Sequence, residues 1–195
     1  MRNGVRAAYA ERAAEYTARL GRIDATSLID RSSIEDWARQ VDGPIADVGC
    51  GPGHWTAHLA SRGHDVIGIE PVAEFLALAQ SAYSDGAFRA GTAATLPTAA
   101  FDGILAWYSL IHTPPPELPA QLRHLHRALR PGGQILLGMF AGERCEPFDH
   151  AVTTAYFWPP AQLSDLLEQT GFTVSVVRTR QDVGVRPHVD LAAHR

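Results

Sequence analysis

Residues 45–54, with the sequence IADVGCGPGH, decide the fold of this 195-residue chain. A short apolar strand runs into a turn that has glycine at alternate positions, Gly49, Gly51 and Gly53, and a helix follows. Glycine at such positions allows positive φ and lets a ligand approach the backbone without a Cβ in the way. The free amides at the start of the next helix are suited to an anionic group of that ligand.

The sequence on both sides of this turn alternates between β-like runs and helical periodicity. Strands are predicted at 45–49, 66–70, 87–91, 101–108 and 134–140, and helices at 5–20, from Ser32 or Ser33, at 54–61, from 72, at 118–129 and around 163–167. This alternation is typical of a doubly wound α/β fold with a mostly parallel sheet. Two final β runs, 172–180 and 185–192, are joined by residues 181–184, which are too few for a crossover helix. We therefore expect an antiparallel hairpin at the C-terminal edge of the sheet.

Composition narrows the classes of function. Hydrophobic residues make up 46% and charged residues 19%, which is typical of a globular domain. The net charge is −4 and does not favour a nucleic-acid partner, and the chain has no lysine, which excludes lysine-based mechanisms. Two cysteines are too few for a disulfide framework, and no apolar run reaches transmembrane length. We expect a single cytoplasmic domain over residues 1–195.

Two segments are expected to flank a ligand site within that domain. The predicted helices of residues 1–42 would cover it from the N-terminal side. Residues 141–160 carry charges, aromatic side chains and Pro159-Pro160. This pattern predicts a long loop, and long loops in compact domains are often functional, so we expect it on the substrate side.

Three residues beside the glycine turn point to a nucleotide-like ligand. Asp47 lies two residues before the first glycine, and Glu70 ends the next predicted strand. An acid at that strand end can accept hydrogen bonds from both hydroxyls of a ribose. Pro71 follows, and offers a flat apolar surface on which an adenine ring could pack.

Together these residues resemble the class I S-adenosylmethionine-dependent methyltransferases. The D-x-G-x-G-x-G motif of that family matches residues 47–53, and its G-x-A-x-x-L-P and F-D patterns match 91–97 and 101–102. Further similarity at 109–112, 129–133 and 166–172 extends the resemblance over nearly the whole chain. It implies a Rossmann-like sheet of seven strands, S-adenosylmethionine as cofactor, and methyl transfer to an O, N or C atom of a small molecule.

The resemblance also implies which residues bind the cofactor. They are Tyr16, Asp47, Gly49, Cys50, Gly51, Gly53, Glu70, Pro71, Thr92, Ala93 and Trp107. Asp47 and the glycines would shape the methionine site, Glu70 would hold the ribose, and Thr92 would lie by the adenine. The family often has an acid where this chain has Thr92, and a hydroxyl bonds an amino group less strongly than a carboxylate does. Cys50 is expected to fit beneath the cofactor as a small residue and not to act as a nucleophile.

Candidates for the acceptor side carry hydroxyl, imidazole or carboxyl groups. His112 follows the fourth strand and is either a general base or a structural residue. Substrate contacts are expected from Tyr9, Tyr108, Asp149, His150 and Tyr156. Strand alternation predicts that Trp107 and Tyr108 point to opposite faces. Tyr9 and Tyr16 share one helix face, where they either pack the helix on the core or close over the methionine end of the cofactor.

Other interpretations remain open at this level. His54 and His58 have the i, i+4 spacing of a zinc site, but Trp55 stands where that motif needs glutamate, so no metal is expected. One alternative is a non-catalytic S-adenosylmethionine-binding regulatory subunit. Another is a nicotinamide-dependent oxidoreductase, although the usual G-x-G-x-x-G spacing is absent. The acceptor, its reacting atom and the oligomeric state stay undetermined.

Overall fold

The computed structural model describes residues 3–195 and confirms the predicted α/β architecture. The helices are α1 (Asn3–Leu20), α2 (Leu28–Ala38), α3 (His54–Ser61), α4 (Ala73–Ala82), α5 (Leu118–Ala128) and α6 (Pro160–Gln169). The strands are β1 (Ile45–Val48), β2 (Val66–Glu70), β3 (Ala87–Ala90), β4 (Phe101–Trp107), β5 (Leu129–Ala141), β6 (Glu146–Phe148), β7 (Ala155–Trp158), β8 (Thr173–Arg180) and β9 (His188–His194). No helix in this described part is both long and apolar enough to cross a membrane.

Strands β3, β2, β1, β4 and β5 lie side by side in that order and are all parallel. The C-terminal hairpin joins beyond β5, as predicted. Within it β9 is the strand that pairs with β5, antiparallel, and β8 pairs with β9 at the outer edge. The antiparallel strand is thus second from the edge. The carboxyl ends of β1, β2 and β4 meet at one rim, where ligands bind in sheets of this kind.

The prediction that residues 141–160 form a long loop is wrong in part, because two short strands lie within it. β5 extends past the end of β4, and its last residues, Phe140 and Ala141, pair with Phe157 and Trp158 of β7. β6 then pairs antiparallel with β7. The stretch has three consecutive aromatic residues, and Phe157 stacks on Phe148 with ring centroids 4.1 Å apart. The described sheet therefore has nine strands, two more than the predicted seven.

Two helix boundaries also differ from prediction. The cap of α2 is Ser27 and not Ser32 or Ser33, because the Ser27 hydroxyl accepts a hydrogen bond from the backbone N–H of Ile29. The helix starts one turn earlier than expected, and several serines nearby offered the same local signal. Helix α5 was expected to include Leu129, but it ends at Ala128, and Leu129 is the first residue of β5.

The core lies on both faces of the sheet. Leucines of α5 and α6 pack with Ile135 and Leu137 of β5 on one face. Side chains of α2 and α3 pack with Leu105 and Leu136 on the other. The alternation of adjacent β5 residues between the two clusters follows from the twofold period of a strand. Because both faces are covered, the rim at the carboxyl ends of the strands is the place left for a site.

Candidate functional site

A divided cavity follows the carboxyl rim of the sheet, and Gly49 lines all of its parts. We name the parts after one residue each: the Thr92 pocket, the Glu70 pocket and the Asp47 pocket. Their volumes are about 180, 60 and 240 Å³. Ser109 and His112 line both the Thr92 and Glu70 pockets, whereas Tyr16 and Gly51 line both the Glu70 and Asp47 pockets. The three are therefore neighbouring spaces of one elongated site.

The glycines of the turn bring backbone to this site. Gly49 has φ of 74°, and a Cβ there would lie 2.4 Å from the Cβ of Ser109, so only glycine fits. Gly51 has φ of 54°, and a Cβ there would meet nothing within 4 Å. The space beside Gly51 is open to a ligand that approaches the main chain.

Glu70 ends β2 inside the site and is almost fully buried. Its Oε2 accepts a hydrogen bond from the backbone N–H of Gly51 at 2.8 Å, and its Oε1 accepts one from Val72 at 2.8 Å. Burial raises the pKa of Glu70 to about 7, and these two bonds act in the opposite direction. The carboxylate is thus tied to the glycine turn and lines the Glu70 pocket.

Asp47 lies at the base of the Asp47 pocket on β1. Its Oδ2 accepts a hydrogen bond from the Thr56 hydroxyl at 2.7 Å. Burial raises the pKa of Asp47 to about 6, while the bond from Thr56 lowers it. Cys50 lines the same pocket, and burial raises the pKa of its thiol. A thiol held protonated in this way is a poor nucleophile.

The Thr92 pocket is the most apolar part of the site. Pro71, Ala93 and Leu110 line it, together with Thr92. The backbone N–H of Thr92 donates to the hydroxyl of Thr95 at 2.9 Å, which fixes the turn that follows β3. A flat ring can insert between such apolar side chains and still reach polar groups of the turn.

Tyr9 and Tyr16 of α1 both reach the Glu70 pocket. Their rings are 6.0 Å apart in an edge-on arrangement, and both pack against Phe75 of α4. The same rings therefore pack α1 on the core and line the cavity, and contact with the methionine end of a cofactor stays a prediction. Burial raises the pKa of both phenols, so both hydroxyls are protonated.

Trp107 and Tyr108 pack on opposite faces of the sheet, as strand alternation predicts. Trp107 packs against the core cluster of Leu105 and Leu136, and Tyr108 against the cluster of Ile135 and Leu137. At the rim both rings still line the Glu70 and Asp47 pockets, 5.8 Å apart. Tyr108 directly follows β4 and has φ of 54°. A bulky residue in the left-handed region is strained, and such strain concentrates at functional sites.

His112 has its two ring nitrogens fixed by neighbours. Nδ1 lies 2.7 Å from the carbonyl oxygen of Thr154, so it must carry the proton. Nε2 lies 2.8 Å from the Tyr9 hydroxyl and accepts its hydrogen bond. Burial lowers the pKa of His112, so the ring is neutral with a lone pair directed at Tyr9. Both the base role and the structural role remain compatible with this arrangement.

Four predicted residues do not line the three pockets. Gly53 caps α3 with φ of 85°, and a Cβ there would meet Phe88 at 2.7 Å, so it serves packing. Asp149 is exposed. His150 lies behind His112, at a ring distance of 5.1 Å, and burial lowers its pKa to about 4. Tyr156 packs against the core and pairs with the segment after β4.

Two residues that line the site were missed as ligand contacts. His54 lines the Asp47 pocket, and its buried Nδ1 has no hydrogen-bond partner among the described residues. Ser109 lines two pockets, and its buried Oγ is likewise unpartnered there. A bound polar ligand would satisfy such groups. His58 instead lies 2.7 Å from Glu35, and no group of three or more His, Cys, Asp or Glu in residues 3–195 is placed to hold a metal ion.

The known proteins to which this chain is similar in sequence are methyltransferases. A family described as a methyltransferase domain matches residues 45–133. A malonyl-[acyl-carrier protein] O-methyltransferase of Erwinia billingiae is 31% identical over 121 residues, which cover 61% of this chain and 45% of that protein. The chain thus spans about half the length of this relative. An uncharacterized methyltransferase of Synechocystis is 27% identical over 161 residues, 72% of each chain.

Solved structures agree in fold. The 1,6-didemethyltoxoflavin-N1-methyltransferase of Burkholderia thailandensis was solved with 1,6-didemethyltoxoflavin and S-adenosylhomocysteine bound. It superposes with a TM-score of 0.78 at 21% identity, over 97% of this chain and 88% of that chain. At this level of identity the likeness concerns the fold.

Proposed function

We propose that this chain is a class I S-adenosylmethionine-dependent methyltransferase that transfers a methyl group from S-adenosylmethionine to a small-molecule acceptor. The observation that carries this proposal is the placement of Glu70. Its buried carboxylate lies at the end of β2, hydrogen-bonded to Gly51, and lines the Glu70 pocket, which adjoins both the Thr92 pocket and the Asp47 pocket. Such a carboxylate holds the ribose of an adenosyl ligand between its base and its tail.

We place the adenine in the Thr92 pocket and the methionine part in the Asp47 pocket. Pro71 and Ala93 would pack on the ring, and the turn at Thr92 would meet its polar edge. The open space beside Gly51 would take the chain of the ligand along the backbone. In the Asp47 pocket the unpartnered His54 ring would bond the amino-acid end of the ligand, beside Cys50.

When bound, S-adenosylmethionine supplies a methyl group on a positively charged sulfur. The protein then has to hold the acceptor in line with that methyl group and exclude water. The rings of Tyr16, Trp107 and Tyr108 wall the junction of the Glu70 and Asp47 pockets and would do this. Tyr9 and His112 form the opposite wall, and His112 is the general-base candidate there because its Nε2 is unprotonated.

We propose one domain over residues 1–195, with an acceptor that is neither nucleic acid nor membrane. Support comes from the net charge of −4 and from α1, whose tyrosines close the cavity on one side. The 141–160 segment touches the site through His150 behind His112, and we keep Asp149 and Tyr156 as candidates for contacts with a larger acceptor. Cys50 and Cys145 are both free, which fits the reducing cytoplasm.

Calorimetric titration with S-adenosylmethionine, S-adenosylhomocysteine and NAD tests the cofactor assignment. We expect saturable binding of the first two and none of NAD, and binding of NAD alone would overturn the proposal. A methylation assay then tests three acceptor types: a malonyl thioester carboxylate, a planar nitrogen heterocycle, and phenols such as catechol and p-hydroxybenzoate. The first two are the acceptor chemistries named for the relatives above.

A further inference from the structure

A series of polar side chains, which we call the polar network, runs from the cavity to the outer edge of the sheet. The Tyr108 hydroxyl lies 2.5 Å from Nδ1 of His188, and Nε2 of His188 lies 3.4 Å from Oδ1 of Asp190. Arg178 is the last member of the polar network, since its Nε lies 2.8 Å from Oδ2 of Asp190. His188 and Asp190 are 2% and 5% exposed. Burying an imidazole and a carboxylate together is costly, so their retention calls for a function.

The backbone of Tyr108 is held in the conformation that makes this contact. Its φ of 54° is in the left-handed region, which costs an L-residue roughly 1–2 kcal/mol. Its N–H bonds the carbonyl of Gly138 at 3.0 Å, and its ring packs on Phe140 at 5.0 Å. The turn directs the hydroxyl to His188 while the ring stays in the cavity wall.

The donor and acceptor roles in the polar network determine which atoms carry the protons. Burial raises the pKa of Tyr108, so its hydroxyl is protonated and donates to Nδ1 of His188. The neutral imidazole must then carry its own proton on Nε2, which faces Asp190. The oxygen of Tyr108 keeps a lone pair free to accept another hydrogen bond from the cavity side. The 3.4 Å contact is not a hydrogen bond, since the buried Nε2 of His188 has no hydrogen-bond partner among the described residues. It would become one if the ring became cationic and drew the carboxylate closer.

A second tyrosine–histidine pair faces the same cavity, and it is worse placed to hold a proton. Nδ1 of His112 bonds only a backbone carbonyl, that of Thr154, and burial lowers its pKa. His150 lies 5.1 Å away and brings no negative charge. His188 in contrast has Asp190 beside it to balance an imidazolium. The two pairs therefore differ in the group that stabilises the protonated ring.

We propose that Tyr108 accepts the proton of the methyl acceptor and passes its own phenolic proton to His188, which Asp190 positions and balances. The proposal rests on the proposed function and narrows the acceptor to a hydroxyl or N–H group. As the acceptor oxygen or nitrogen gains the methyl group, its bond to hydrogen breaks and that proton goes to the Tyr108 oxygen. The former phenolic proton goes to Nδ1 of His188. After the product departs, Tyr108 gives the acceptor's proton to water in the cavity and takes its former proton back from Nδ1, which restores the starting state. Tyr108 is the catalytic residue of this step, and His188 and Asp190 are positioning residues.

Other charged groups around Tyr108 come from α2 and the C-terminal hairpin. Asp30 of α2 lies 2.7 Å from Arg180, and Arg180 also bonds Asp182 at 2.8 Å. Asp30, Asp182 and Asp190 act to raise the pKa of the phenol, and Arg180 acts to lower it. These groups oppose a free phenolate, so the hydroxyl can lose its proton only as it receives another.

The test combines kinetics with cofactor binding. Tyr108→Phe keeps the ring and deletes the hydroxyl, and Asp190→Asn removes the balancing charge. With a phenol acceptor from the panel, we expect kcat of Tyr108→Phe to fall by about 10²–10⁴-fold, the usual contribution of a general base. The Kd for S-adenosylhomocysteine should change less than about twofold, since the substitution keeps the ring that lines the cavity and the hydroxyl bonds His188. Asp190→Asn should lower kcat and shift the acid limb of its pH profile, a change that lost packing would not produce. Tyr83→Phe is the control, because its hydroxyl only bonds Gly21, outside the site.

A second readout needs no turnover. Nitrogen-15 NMR of labelled histidine should show His188 protonated on Nε2 and not on Nδ1, and Tyr108→Phe should shift its Nδ1 resonance. Protonation on Nδ1 would overturn the proposal whatever the kinetics. So would a kcat of Tyr108→Phe within about threefold of wild type, or turnover of the malonyl carboxylate alone, because a carboxylate has no proton to give. Failure to bind S-adenosylhomocysteine would instead refute the proposed function. The NMR result would still show whether the polar network has the protons as assigned.

Discussion

Cofactor affinity should rise with pH across neutrality because of Glu70. Its carboxylate is 3% exposed, and burial raises its pKa to about 7 although two backbone amides bond it. Only the ionised form accepts bonds from both ribose hydroxyls. For an acid whose pKa is raised in the free protein, the competent form is lost as pH falls through that pKa. Binding of the ligand therefore releases a proton at neutral pH.

The size of the effect follows from the ionised fraction. A group with a pKa of about 7 is ionised to about one quarter at pH ~6.5 and almost fully at pH ~8.5. The affinity for S-adenosylhomocysteine should therefore increase about fourfold over this range. Asp47, with a pKa of about 6, is already largely ionised there and adds little.

Isothermal titration calorimetry at several pH values, in buffers with different ionisation enthalpies, measures both affinity and proton release. Glu70→Gln should bind more weakly at high pH and lose the pH dependence. Glu70→Ala should cost about 1–3 kcal/mol of binding, since the ribose loses a charged acceptor. Glu74→Gln on the exposed side of α4 is the matched control and should behave as wild type. A folded Glu70→Gln variant that keeps the wild-type affinity and pH slope would refute the reasoning.

Three further predictions concern stability and are checked by urea unfolding. Gly53→Ala should destabilise the protein by about 1–3 kcal/mol, because φ is 85° and the new Cβ would lie 2.7 Å from Phe88; an unchanged midpoint would contradict this. Thr56→Val should cost about 1–3 kcal/mol by leaving the buried Asp47 without its hydroxyl donor, and the cost should shrink at low pH where Asp47 is protonated. Leu122→Ala in α5 should cost about 2–5 kcal/mol, since the side chain is fully buried, and a loss under about 1 kcal/mol would count against the packing described.

Local signals made much of the fold predictable. The strand at 66–70 and the helix at 54–61 have the predicted bounds, because an apolar run and a glycine turn delimit them within a few residues. The residues expected to bind the cofactor were predicted in the same way. Residues 47–53 and Glu70 are close in sequence, and their expected roles follow from a strand–turn–helix unit. Most of those residues do line one cavity.

The acceptor side was less predictable, because its residues come from distant parts of the chain. Sequence periodicity placed Trp107 and Tyr108 on opposite faces at the end of a strand, and they pack there. It gave no sign that both rings would line one cavity. The aromatic residues 156–158 gave no indication that they would form a strand and pair with the last residues of β5.

The sequence by itself therefore determined the class of fold, the glycine turn and the acid that faces it, because each depends on neighbours a few residues away. Only the tertiary structure decided what stands behind Tyr108. His188 lies 80 residues further along the chain and reaches it because β9 turns back antiparallel along β5, with Phe140 opposite His188. The pairing of β9 with β5 is a long-range interaction that depends on the packing of the whole sheet. No local sequence pattern around Tyr108 or His188 indicates that the two side chains come into contact.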